Sequence, residues 1–90
     1  MQAPEAFMKL TVKLFGGIKS TKDFPKNEEG DLIVELPSEI SVAELIDELS
    51  LNKKPFIVVL NGVILHDLAI KLKDGDKLSF FPPIAGGLLN

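Results

Sequence analysis

Ninety residues with a hydrophobic fraction of 46% suffice for one domain with a core, but leave little room for a deep internal active site. A net charge of -3, from 10 basic and 13 acidic residues, provides no basic stripe of the kind that holds a nucleic-acid backbone. The absence of cysteine excludes a disulfide framework, a thiolate zinc site and a cysteine nucleophile.

Met1-Gln2-Ala3-Pro4-Glu5 carries neither a basic region nor a long apolar stretch, so no signal peptide is expected. The apolar run from Phe56 to Leu60 is far too short to span a bilayer. A cytoplasmic protein with no membrane and no nucleic-acid partner is the simplest expectation. Lys53-Lys54 and Lys71/Lys73 are the nearest approach to basic clusters, but acidic residues are interleaved around them and they read as solvated surface.

From Met8 to Phe15, Met8, Leu10, Val12 and Leu14 alternate with Lys9, Thr11 and Lys13, the period of two of a half-buried strand. Gly16-Gly17 breaks that pattern as a hairpin or bulge device, and the polar stretch up to Gly30 forms a loop. Asp31 to Leu36 puts Leu32, Val34 and Leu36 on one face, a second strand expected to pair antiparallel with the first. Pro37 stops it. Ser41-Val42-Ala43-Glu44 then fits a capping box, with Ser41 as N-cap and Glu44 three residues on. Val42, Leu45, Ile46 and Leu49 follow helical spacing with Glu44, Asp47 and Glu48 facing outward, and the helix is predicted to end near Ser50.

Phe56-Ile57-Val58-Val59-Leu60 is continuous and largely β-branched, the pattern of a strand covered on both faces. Asn61-Gly62 signals a tight turn, after which Val63-Ile64-Leu65 either pairs back or leads into a short connector. Asp74-Gly75-Asp76 forms a second turn. Lys77 to Phe81 makes the last strand, closed by Pro82-Pro83. The order strand, strand, helix, strand, short connector, strand matches an α+β β-grasp roll: one main helix across a mixed sheet of four to five strands, with the first and last strands side by side in the centre. The β-grasp domain is expected over residues 1–83, followed by a flexible C-terminal tail over 84–90.

Adjacent Phe80 and Phe81 point to opposite faces of their strand. Leu78 and Phe80 share the core face, which leaves Phe81 either partly exposed as a hydrophobic anchor for a partner or covered by the chain's own connector. His66 beside Asp67 lacks a nucleophile and reads as a surface turn rather than an acid-base pair. Asp74 and Asp76 lack the further ligands of a calcium loop and read as turn formers, and no metal site is expected.

After the last strand comes Pro82-Pro83-Ile84-Ala85-Gly86-Gly87-Leu88-Leu89-Asn90. The two prolines prevent further sheet pairing and send the chain away from the body. Gly86 and Gly87 have no side chains and fit a channel too narrow for other residues. An extended chain from Pro83 to Gly87 reaches about 13 Å, enough to enter another protein's active site.

The segment Asp74-Gly75-Asp76-Lys77-Leu78-Ser79-Phe80-Phe81-Pro82-Pro83-Ile84-Ala85-Gly86-Gly87 resembles the end of the MoaD/ThiS family of ubiquitin-like sulfur carriers. It is most similar to the small subunit of molybdopterin synthase. There, an aspartate-glycine turn, a Phe-Phe-Pro-Pro strand end and an Ala-Gly-Gly terminus occur in this order. The resemblance implies a carrier rather than an enzyme, with no bound cofactor. A ubiquitin-activating-enzyme-like adenylyltransferase would use ATP to adenylate the carboxylate of Gly87, with Gly86 providing clearance. A sulfur donor would then convert the adenylate to a thiocarboxylate, passed to a pterin precursor on the large subunit of molybdopterin synthase. Phe81, Pro82, Pro83, Ile84 and Ala85 would meet these partners.

The chain departs from the family pattern by continuing with Leu88-Leu89-Asn90, which leaves a peptide bond where a carboxylate is required. Either it is a precursor trimmed by a processing peptidase, or the extension is permanent and the protein is a diverged binding module. A ubiquitin-like protein modifier, a carrier for another pathway such as thiamine biosynthesis, and a β-grasp interaction domain are the alternative functions. Mass spectrometry of protein from its native cell is expected to find a species ending at Gly87. A species ending only at Asn90, under all conditions, contradicts processing.

Overall fold

A computed structural model describes residues 7–83 of the chain. The elements are β1 (Phe7–Leu14), β2 (Leu32–Pro37), α1 (Val42–Leu49), β3 (Ile57–Leu60), β4 (Val63–Leu65) and β5 (Lys77–Phe81). The five strands form one mixed sheet in the order β2-β1-β5-β3-β4. β1 pairs antiparallel with β2 and parallel with β5, so the first and last strands share the centre as the order of elements predicts. β3 pairs antiparallel with β5 on one side and with β4 on the other.

Period-two patterning puts Met8, Leu10 and Val12 of β1, Leu32 and Val34 of β2, Val58 of β3 and Leu78 and Phe80 of β5 in the core. Val42, Leu45 and Leu49 of α1 are fully buried, so one helix closes one face of the sheet. Ile18, from the loop after β1, and Leu72, from the connector before β5, are also buried, though neither belongs to a periodic segment. Phe56 sets its ring edge-on to Phe80 at a centroid distance of 5.3 Å.

The expectation that Phe56 to Leu60 is covered on both faces is not met. Only Val58 is buried in β3, while Ile57, Val59 and Leu60 are half-buried. The single helix covers one side of the sheet, and the β-branched run that reads as interior lies partly on the open side. Val63-Ile64-Leu65 pairs back on β3 across Asn61 and Gly62, whose φ angles of 50° and 86° match the two left-handed positions of a tight hairpin turn. That turn is tied to the next one, since the Lys77 amide donates to Asn61 Oδ1 at 2.9 Å and Asn61 Nδ2 donates to Asp76 Oδ1 at 3.0 Å. Asp74 accepts from the Lys9 amide at 2.8 Å, so both aspartates brace turns as expected.

The capping box forms as its spacing predicts. The Glu44 amide donates to Ser41 Oγ at 3.1 Å and the Ser41 amide donates to Glu44 Oε1 at 2.9 Å. The next free amides of the helix are also used: Val42 N–H donates to Ile70 O and Ala43 N–H to Leu68 O, each at 2.9 Å. The connector between β4 and β5 is thereby stitched to the start of α1. At the other end, Ser50 takes a left-handed conformation, φ 50°, and terminates the helix.

Hydrogen bonds from the Ser41 backbone amide and then its hydroxyl hold the Glu44 carboxyl below its ordinary pKa. A depressed folded-state pKa stabilises the fold above the ordinary carboxylate range, and that contribution is lost as pH falls through the folded value. Glu44→Gln is therefore expected to be less stable than the parent at pH 7, with the gap closing as the pH drops below about 4. Ser41→Ala is expected to cost about 1 kcal/mol at neutral pH. Urea denaturation across this pH range checks both, and a gap for Glu44→Gln that is constant with pH contradicts the first.

Candidate functional site

The sequence places the working part of the chain in Gly86 and Gly87, and the partner-binding segment that precedes them begins at the end of β5 and the prolines after it. β5 is held on both sides. On one side Leu14 lies opposite Phe80 in the parallel register, and the Phe15 amide extends that ladder by donating to Phe80 O at 3.0 Å. On the other, Ile57 lies opposite Phe81 and Val58 opposite Phe80. The strand therefore stays paired up to its last residue, one position before Pro82.

Phe81 is half-buried on the face of the sheet away from α1. It is partly exposed, the first of the two expectations for it. The Phe15 ring stacks on it with centroids 4.5 Å apart and planes 2° from parallel. Phe15 itself is 41% exposed, so the pair presents an aromatic surface to solvent. Register alone extends this surface: Ile57 adjoins Phe81, Val59 lies two residues along β3 on the same face, and exposed Ile64 is paired with Val59. The result is an apolar strip on the open face, beside the point where the chain leaves the sheet.

Pro82 is half-buried and Pro83 exposed. The ring of Pro82 rests on Gly16, in the turn that follows β1. That turn closes with Ile18 N–H donating to Phe15 O at 3.1 Å, and Gly16 and Gly17 both have positive φ, 65° and 82°. The turn role of the glycine pair was legible in the sequence, whereas the contact of Gly16 with Pro82 was not. Phe15 was likewise missed as the companion of Phe81. The signal that could have found both is the expected side-by-side placing of first and last strands, which in the parallel pairing observed sets the residues after β1 beside those after β5. Ile84, Ala85, Gly86 and Gly87 lie outside the described residues.

His66 and Asp67 are exposed, and Asp67 Oδ1 accepts from the Ala69 amide at 2.9 Å, which makes it a turn brace. Among the described residues no group of three metal-ligating side chains comes together, and no helix is long and apolar enough to cross a membrane. The amides at the start of α1 are already bonded to Ser41, Leu68 and Ile70, so that helix end is not open to a phosphate. The chemistry of the described surface is that of contact: an apolar strip and a rigid exit for the chain.

A mixed sheet with parallel central strands, crossed by one helix and ending in a diproline, defines a ubiquitin-like β-grasp protein. The model of the ThiS family matches residues 12–87, and the chain belongs to that family of small sulfur carriers. No individual curated protein gives a match.

The stacking of Phe15 on Phe81 leads to a specific expectation. In a double-mutant cycle of Phe15→Ala and Phe81→Ala, urea denaturation should return a coupling of about 0.5–1.5 kcal/mol. Additive losses would show that the two rings do not support each other.

Proposed function

We propose that this chain carries sulfur as a thiocarboxylate on Gly87 for the assembly of molybdopterin, the pterin of molybdenum and tungsten cofactors, after a peptidase removes Leu88-Leu89-Asn90. The observation that carries this reading is the family match, which runs through Gly87 and stops before those three residues. The Phe80-Phe81-Pro82-Pro83 strand end favours the molybdopterin pathway. Thiamine biosynthesis is the second reading, favoured by the family whose model matches.

The division of labour follows from chemistry. A carboxylate is a poor electrophile, and joining it to the adenylyl group of ATP, with release of pyrophosphate, supplies a good leaving group. A sulfur nucleophile then attacks the carbonyl carbon, forming the C–S bond as AMP departs. The adenylyltransferase contributes the nucleotide site and the electrostatic stabilisation, and this chain contributes reach and identity. Phe81, with Phe15, Ile57, Val59 and Ile64 around it, is the docking surface for that enzyme and for the large synthase subunit. Pro82 to Ala85 line the partner's entrance while Gly86 and Gly87 pass through it.

A chain ending at Gly87, incubated with its cognate adenylyltransferase, ATP and a sulfur source, is expected to gain the mass difference of one oxygen replaced by sulfur. Addition of the large synthase subunit and the pterin precursor is expected to return it to the carboxylate. Lysine conjugates in place of the thiocarboxylate would make the chain a protein modifier. Absence of any activation at Gly87 overturns the carrier reading.

A further inference from the structure

Five glycines with positive φ punctuate the described chain, and four of them need only the backbone freedom. A Cβ added to Gly30, Gly62 or Gly75 would meet nothing within 4 Å. One added to Gly17 would meet the mobile end of a lysine, Lys53 Nζ, at 3.0 Å. Gly16 differs. A Cβ there would overlap Cγ of Pro82 and lie 2.6 Å from its Cδ, and both atoms belong to a ring fused to the backbone that cannot swing aside.

Three consecutive residues at the exit are thus held by two consecutive residues of the turn. The Phe80 carbonyl accepts the Phe15 amide, the Phe81 ring stacks on the Phe15 ring, and the Pro82 ring sits on the bare Cα of Gly16. A strand end is ordinarily where a chain begins to fray. Here the last two strand residues and the one after them are fixed by hydrogen bond, ring and proline in succession.

We propose that Gly16 is a positioning residue for the carrier tail: its missing side chain forms the seat for the Pro82 ring and so sets the direction in which the chain leaves the sheet. This rests on the carrier reading given above. Direction matters because the reacting carboxyl lies several residues further on. A tilt of 10° at the start of an extended segment of about 13 Å displaces its far end by about 2 Å. Misplacement of a reacting group by about 1 Å can lower a rate a hundredfold.

The test uses the chain ending at Gly87, which keeps every residue of the described fold, with its cognate adenylyltransferase and ATP. Pyrophosphate release is followed at varied carrier concentration. Three variants are compared with the parent: Gly16→Ala, Pro82→Ala and the double variant. Thermal melts of each separate loss of fold from loss of aim.

Gly16→Ala is expected to lower kcat about tenfold or more with KM within about twofold, because the body still docks while the carboxyl is presented off line. Pro82→Ala removes the ring and is expected to lower kcat by a smaller factor. The double variant is expected to recover most of the loss, toward the value of Pro82→Ala alone, the remainder being the cost of an alanine at a φ of 65°. Of the three atoms nearest the new methyl, the residue 82 Cβ alone would remain, at 3.6 Å, an ordinary van der Waals distance.

A loss in Gly16→Ala that persists undiminished in the double variant overturns the proposal, since the loss would not then run through Pro82. So does a parent-like kcat in Pro82→Ala, and that arm decides the matter by itself if Gly16→Ala fails to fold. A parent that is not adenylated at all overturns the carrier reading, and the positioning role with it.

Discussion

Because β1 and β5 lie side by side in the centre of the sheet and run parallel, both strands finish at the same end of the molecule. Everything that distinguishes that end follows from this pairing. It brings Phe15 to Phe81 and Gly16 to Pro82, and with β3 on the other side it leaves the final strand paired on both sides as far as Phe80. Parallel neighbours also require a long crossover, here the whole of β2, α1, β3 and β4, so the exit is fixed only once the entire domain has folded.

The single helix has the complementary effect. By closing one face it leaves the other open, and the apolar residues that face cannot bury become surface. Ile57, Val59, Ile64, Phe15 and Phe81 are costly to leave in water in a monomer of this size, and their cluster adjoins the chain exit rather than being scattered. A partner that covers this strip takes hold of the domain at the place where the tail departs. In the function proposed, the described surface supplies grip and aim, and the chemistry belongs to the terminus beyond it and to the partner enzyme.

Much of this was legible in the residues themselves. Alternation in Met8 to Leu14 and Asp31 to Leu36, the Ser41–Glu44 box and the Asn61-Gly62 turn are local signals, and each formed where its spacing put it. The run from Phe56 to Leu60 misled because periodicity reports how apolar a strand is, not how many layers cover it. The open choice for Val63-Ile64-Leu65 was settled by pairing, a long-range matter that three residues cannot encode alone. Buried Ile18 and Leu72 belong to loops, where no period marks the core. The candidate site was read as a sequence motif, from Asp74 to Gly87, of which the described residues reach Pro83. Its structural half, the seat of Pro82 on Gly16, depends on aligning positions 66 residues apart, and only the register of β1 against β5 supplies that alignment.

The central claim is that pairing with β1 fixes the chain up to the point where it leaves the sheet. Native-state hydrogen exchange at the Phe15 amide tests it most directly, since that hydrogen bond to Phe80 O is the last rung of the parallel ladder. The account predicts that this amide exchanges only through global unfolding, as slowly as the amides of the central strand residues Leu10 and Val12, which lie opposite Val34 and Leu32. Exchange at Phe15 as fast as that of the exposed loop residue Glu28 would contradict it.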